Sequence, residues 1–231
     1  MRSHRAFVGK LEPVVKLTGF EAAHLRVLRA NVGDLVTLFD GAGLEADATI
    51  LALEDFAITL EVGEPRVVNL EPPQEITLAI ALLKGDKLSE VVRAATELGV
   101  SRFQLLITEH ADVKEIGTQK LERLQRVALE ASKQCRRAVT PLVLSPIKLK
   151  QLEPVVCGLV AHPGWSLKPR EAVNWDAPIT IATGCEGGFS SLEIELLESR
   201  GFKTVGLGPR ILRAETAPIA ILGALTAGEG F

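Results

Sequence analysis

The sequence predicts an α/β protein: a small N-terminal β-barrel with one helix, then an α/β domain with a mostly parallel sheet. Three observations lead there. Short alternating apolar and polar runs fill the chain up to about Val62, the pattern of half-buried strands. From Ile76 onward, near-continuous apolar runs alternate with segments of helical period, as expected of a sheet buried on both faces by helices. Between the two lies Asn69-Leu70-Glu71-Pro72-Pro73, an extended linker, because each proline disfavours the α region for the residue before it. The expected domains are therefore 1–70 and 74–231.

In chain order, Gly19 to Ala30 carries Ala22, Leu25 and Leu28 at helical spacing, with His24, Arg26 and Arg29 on the polar side. Asp34 to Asp40 alternates and stops at the turn Gly41-Ala42-Gly43. Glu45 to Leu53 and Ala57 to Val62 alternate again. Ile76 to Leu83 is almost wholly apolar, a strand covered on both sides, and Lys84-Gly85-Asp86-Lys87 turns the chain. Leu88, Val91, Val92, Ala95 and Leu98 then define a helix ended by Gly99. A strand follows at Phe103 to Thr108 and a long helix at Thr118 to Arg136. Further strands are expected at Val155–Ala161, Ile179–Thr183 and Thr204–Leu207, with helices at Ser190–Ser199 and Ala214–Ala227.

Composition limits the function. No N-terminal apolar stretch marks a signal peptide, and no window is long enough to span a bilayer, so a cytoplasmic protein without membrane attachment is expected. Cys135, Cys157 and Cys185 are odd in number, far apart and without a CxxC pair, which predicts neither a disulfide framework nor a metal site. The net charge of −3 makes no overall electrostatic claim on nucleic acid. Its distribution is uneven, however. Residues 1–29 hold six Lys/Arg against two acids, 30–72 one against nine, and 110–150 nine against four. Two basic segments can form parts of one RNA-facing surface, although solvated charged faces are common.

Ligands of parallel α/β sheets bind at the carboxyl ends of strands, where loops and helix N-termini offer free N–H groups. Three strand ends carry unusual residues: Ala161-His162-Pro163-Gly164, Thr183 to Ser190, and Gly206 to Thr216. The second has Gly184, Gly187 and Gly188 within five residues, with Ser190 placed to cap the next helix. It is neither a Walker loop nor a GxGxxG fingerprint. The third puts Arg210, Ile211, Leu212 and Arg213 between a strand and a helix. Two readings stay open from the residues alone: a functional loop, or a deeply packed one in which Arg213 and Glu215 merely pair at a helix start.

Four spaced segments then resemble one family. They are Glu97-Leu98-Gly99-Val100, Gln134-Cys135-Arg136-Arg137 with Pro141, Gly184-Cys185-Glu186-Gly187-Gly188-Phe189-Ser190, and Leu207-Gly208-Pro209-Arg210-Ile211-Leu212-Arg213-Ala214-Glu215-Thr216-Ala217. Together with Arg5-Ala6-Phe7-Val8, His24 to Arg29 and Leu38-Phe39-Asp40-Gly41, they resemble the RsmE family, 16S rRNA (uracil-N3)-methyltransferases of the SPOUT superfamily. The resemblance covers nearly the whole chain in order and spacing. Two departures stand out: Cys185 where a proline is common, which predicts a looser loop, and Arg136 where many relatives have glycine.

The resemblance implies a PUA-like RNA-binding barrel, a C-terminal trefoil-knot domain and a homodimer. It also implies S-adenosyl-L-methionine (SAM) as cofactor, held by His162, Gly184, Glu186, Gly187, Leu207, Gly208, Ile211, Leu212 and Arg213. The implied substrate is 16S rRNA in the small ribosomal subunit, contacted by Arg2, Arg5, Arg26, Arg29, Arg137 and the face from Lys120 to Arg137. Arg213 and Arg137 are the candidates to stabilise a uracil oxyanion, since arginine remains a cation at neutral pH. Glu186 is the candidate general base, with His162 behind it. No metal is expected. The rival expectations are a SPOUT methyltransferase for tRNA or a ribose 2′-hydroxyl, and a non-catalytic assembly factor that binds RNA.

Overall fold

A computed structural model describes residues 4–227, which form two compact units: the segment up to Leu70 together with Ser132–Thr140, and Glu71–Ala131 together with the chain from Pro141 on. The first unit contains β1 (His4–Phe7), β2 (Val14–Thr18), α1 (Gly19–Val27), β3 (Leu35–Phe39), β4 (Leu44–Glu54), β5 (Ala57–Val62) and β6 (Arg66–Val67). Its sheet runs β1-β3-β4-β5-β2, with β6 on β4. All pairs are antiparallel except β1 with β3. β1 and β2 end the sheet without closing it, so the expected barrel is an open half-barrel. α1 supplies Ala22 and Leu25 to a core shared with Leu38, Ile50, Ile58 and Leu60.

α1 stops three residues earlier than its pattern suggests, because Arg29 enters the left-handed region at φ 59°. There the N–H groups of Arg29 and Ala30 close back on Arg26 O and Leu25 O at 2.8 and 3.1 Å, a Schellman ending. The segment 132–140, which no local signal assigns to this unit, bonds to the β3–β4 turn. Gly43 N donates to Ala138 O at 3.2 Å and Thr140 N to Gly41 O at 2.9 Å.

The second unit contains β7 (Ile76–Ala81), α2 (Lys87–Glu97), β8 (Arg102–Ile107), α3 (Thr118–Cys135) up to Ala131, β9 (Leu142–Lys148), β10 (Cys157–Ala161), α4 (Pro169–Ala172), β11 (Ile179–Thr183), α5 (Ser191–Ser199), β12 (Phe202–Val205) and α6 (Thr216–Thr226). The strands run β12-β10-β11-β7-β8-β9, every pair parallel. Both faces are covered. Leu78, Ile80, Phe103, Leu159 and Ile181 meet α2, α3 and α6 on one side, while Ala79, Leu106, Val160, Ala182 and Phe202 meet Leu197 of α5 on the other. This explains the near-continuous apolar runs, and each such Leu, Ile or Phe contributes roughly 1.5–3 kcal/mol by full burial.

Local punctuation fixes the helix ends. Gly99 at φ 90° closes α2, and a Cβ there would come within 2.6 Å of Pro72. Ser190 caps α5 in a reciprocal box: Glu193 N donates to Ser190 Oγ at 3.3 Å and Ser190 N to Glu193 Oε2 at 3.0 Å. β9 and α4 were not expected from the sequence. Pro146 and a register shift opposite Gln104/Leu106 break the alternation of β9, and α4 is only one turn. β12 ends at Val205 rather than Leu207, because Gly206 N leaves the sheet to donate to Leu167 O at 2.9 Å. No helix among the described residues is long and apolar enough to cross a membrane.

Candidate functional site

β11, β10 and β12 are neighbours in one parallel sheet, so the loops after their carboxyl ends meet. Between them lies a cavity of about 570 Å³, within the range of about 300–1,000 Å³ usual for cofactor sites. His162 and Pro163 enter from the loop after β10, Gly184 to Phe189 from that after β11, and Leu207 to Ala217 (Pro209 and Thr216 excepted) from that after β12. His162, Gly184, Glu186, Gly187, Leu207, Gly208, Ile211, Leu212 and Arg213 all line this one space.

The Gly-rich loop makes a bonded turn at Cys185. Gly188 N donates to Cys185 O at 2.9 Å, with Gly188 at φ 69°. The Cys185 thiol, in a residue 5% exposed, lies 3.7 Å from Gly188 O and takes a contact from Thr108 Oγ1 at 3.8 Å. The glycines are needed for space as well. A Cβ on Gly187 would stand 2.8 Å from His110 Cβ, and one on Gly184 would stand 3.0 Å from the Gly188 carbonyl carbon. His110 Nδ1 also contacts Gly187 O at 3.1 Å.

The tip of the loop after β12 is not packed away, which goes against the deeply packed reading left open by the sequence. Ile211 is 85% exposed and the Arg213 side chain 83% exposed, with Glu215 Oε1 3.9 Å away. Gly206, by contrast, lies so close under the Trp165 carbonyl that any side chain there would collide with it. The loop is held at its base and open at its tip, where Ile211 and Arg213 line the cavity.

Three charged residues outside the expected set also line the cavity: Lys87, Arg210 and Glu215. Lys87, at the first turn of α2, places Nζ 2.9 Å from Glu186 Oε1 and 3.3 Å from Glu215 Oε2. Its position just beyond the carboxyl end of a buried strand was the available signal. Partial burial pushes the Glu186 carboxyl up, but the Lys87 ammonium and the N–H groups of Glu186 and Lys84 outweigh it and hold it below the ordinary value. Lys87 is correspondingly raised, chiefly by its hydrogen bond to Glu186. His162 Nδ1 lies 2.8 Å from Pro163 O. A carbonyl can only accept, so Nδ1 carries the hydrogen and Nε2 keeps the lone pair of the neutral ring.

The arginines expected to meet RNA behave differently. Arg2 lies outside the described residues. Arg5 is turned inward, with Nη1 2.5 Å from Glu45 Oε2, Nη2 donating to Arg137 O at 3.1 Å, and its guanidinium carbon 4.7 Å from the centre of the Phe39 ring. Arg137 is 3% exposed and does not line the cavity. Arg26 donates to the carbonyls of Glu54 and Ala57. Arg5 and Arg26 are bound into the first unit by partners of their own, and Arg137 is buried there. Only Arg29 of the described set is fully on the surface.

The chain's similarities match this geometry. Residues 70–226 match the family described as RNA methyltransferase domain, and residues 17–62 the RNA methyltransferase PUA domain. The chain is 38% identical to the ribosomal RNA small subunit methyltransferase E of a Synechocystis species, over 94% of this chain and 74% of that protein. With that of Bacillus subtilis it shares 31%, over 93% and 90%. A crystal structure of such an enzyme from Neisseria gonorrhoeae, bound to S-adenosyl methionine, superposes with a TM-score of 0.90 at 28% identity over 97% of both chains. A SAM-bound methyltransferase structure from Legionella pneumophila gives 0.87 at 32% identity over 98% of both.

Proposed function

The chain belongs to the ribosomal RNA small subunit methyltransferase E family, and from that premise we propose that it uses SAM to methylate N3 of a uridine in 16S rRNA of the small ribosomal subunit. The observation that carries the reading is the single cavity at the ends of β10, β11 and β12, lined by every residue expected to meet the cofactor.

The residues present suit SAM. Glycine backbone at Gly184, Gly187 and Gly208 lets a ligand approach the main chain, and Leu207, Leu212 and Ala161 supply apolar walls. Backbone groups of Leu207, Gly208 and Leu212 are assigned to the adenine. SAM, when bound, supplies a methyl group on a sulfonium that is already an activated leaving group. The chain's own task is to orient the base and manage one proton, so positioning carries much of the rate.

Uracil N3 holds its proton too firmly to lose it unaided at neutral pH, and the anion left behind spreads onto O2 and O4. Arg213 is assigned to that oxygen charge. It is a permanent cation, it lines the cavity, and its single described ionic partner is 3.9 Å away. Glu186 is a weaker base than the sequence suggested, because Lys87 holds its carboxyl below the ordinary value. His162 is the better acceptor, with its tautomer fixed and Nε2 carrying the lone pair. Arg137, the second candidate for the oxygen charge, is 3% exposed and is not among the residues lining this cavity. N3 lies on the Watson–Crick edge, so the target base must be unpaired or flipped out.

The family resemblance supports a homodimer with a trefoil-knotted second unit, and an rRNA substrate supports work in the cytoplasm. Two measurements test the reading. Calorimetric titration with SAM should give saturable binding, and its absence in the folded protein would remove the catalytic assignment. Mass mapping of 16S rRNA from cells lacking the gene should reveal one uridine without its methyl group. An unaltered modification pattern would exclude this substrate.

A further inference from the structure

Lys87 does more in the cavity than weaken Glu186 as a base. Its ammonium is shared by Glu186 in the Gly-rich loop and Glu215 at the head of α6, so α2 and two loops distant in sequence converge on one charge. All three residues line the cavity. The other charged groups facing this cluster are Lys84, whose ammonium is held by Asp112 at 2.7 Å, and Arg213 beside Glu215. The Lys84 N–H additionally reaches Glu186 Oε1 at 3.4 Å.

Without Lys87, Glu186 and Glu215 would face one another as two carboxylates with no cation between them. Half-exposed ion pairs of this kind add little to global stability, since water screens them. Their geometric consequence is larger, because the two loops they join both line the cavity and neither is a helix or strand. We propose that Lys87 is a positioning residue that holds the Gly-rich loop and the 207–215 loop at the separation SAM requires; this rests on the proposal that SAM occupies the cavity.

The test is calorimetric SAM titration of the full chain at neutral pH. Lys87→Met should weaken SAM binding by about tenfold, while the melting temperature moves by no more than about 2 °C, as for loss of an exposed pair. Lys87→Arg, which can still bridge both carboxylates, should recover most of the affinity. In a Glu186→Gln/Glu215→Gln background, where the two carboxylates no longer repel, Lys87→Met should cost nothing further. Wild-type affinity in Lys87→Met, or an equal loss in both backgrounds, overturns the proposal. Should Lys87→Met fail to fold, Lys87→Gln, polar and uncharged, is read by the same criteria. Failure of the wild-type chain to bind SAM would instead refute the function proposed above.

Discussion

Arg5 in the first unit and Arg213 in the second carry the same guanidinium in opposite circumstances. The Arg5 side chain is 12% exposed and divides its donors between Glu45, the Arg137 carbonyl and the Phe39 ring. Arg213 is 83% exposed, with one carboxylate 3.9 Å away. A guanidinium that is buried and already bonded within the fold is out of a ligand's reach, whereas one at the rim of a cavity keeps almost all of its donors accessible. The sequence ranked both as RNA- or substrate-facing because both stood in family-like segments of positive charge. Burial and partners separate them, and these are properties of the fold.

The comparison breaks most sharply at Arg213. Arg213→Ala should lower methyl transfer by about 100- to 1,000-fold, the usual effect of removing one group that stabilises a developing oxyanion. SAM affinity and the melting temperature should stay close to wild type, because the side chain is in water. Single-turnover methylation of small ribosomal subunits reads the rate directly. Retained wild-type rates would remove the assigned role, and a loss of SAM affinity of the same size would make Arg213 a cofactor ligand instead.

Arg5→Ala should do the reverse. Breaking a buried pair by removing one partner costs about 3–5 kcal/mol, and the value here should fall toward 2–3 kcal/mol because Glu45 keeps Arg66 at 2.8 Å. Both tryptophans, Trp165 and Trp175, lie in the second unit. Urea unfolding followed by far-ultraviolet dichroism should therefore reveal the loss in a transition that tryptophan fluorescence does not follow. SAM binding should persist at concentrations of urea where that first transition is complete. An unchanged midpoint in both signals would mean that Arg5 is not a structural residue.

What the sequence made legible was local. β5 and β11 match their alternating or apolar runs residue for residue, and the Ser190–Glu193 box is a three-residue signal that needs no tertiary information. The cavity was legible as well, because parallel topology alone puts His162, the Gly-rich loop and the 207–213 loop at the same ends of neighbouring strands. Long-range partners were not. Lys87 and Glu186 are 99 positions apart, Arg5 and Arg137 are 132 apart, and segment 132–140 joins the first unit through bonds to the β3–β4 turn. β9 was hidden by Pro146, which a strand tolerates at an edge or an irregularity but which reads as a break.

The smallest expected effect concerns an arginine that belongs to neither extreme. Arg136 is exposed, yet its backbone sits at φ 67°, a region where a Cβ is crowded and glycine is favoured. Glycine is also what the family resemblance places there. Arg136→Gly should relieve the crowding and return part of the gain as unfolded-chain entropy, for a net stabilisation of about 0.5–1 kcal/mol. An exposed arginine retained at a strained position suggests a use for its charge in the first unit, where Arg5, Arg26 and Arg137 are already engaged. The same variant should therefore bind small ribosomal subunits less tightly, with a salt dependence shallower by about one counterion. Stability and RNA affinity moving in opposite directions would make Arg136 a surface contact. Lower stability with unchanged RNA affinity would instead place it with Arg5, as an arginine whose partners lie within the fold.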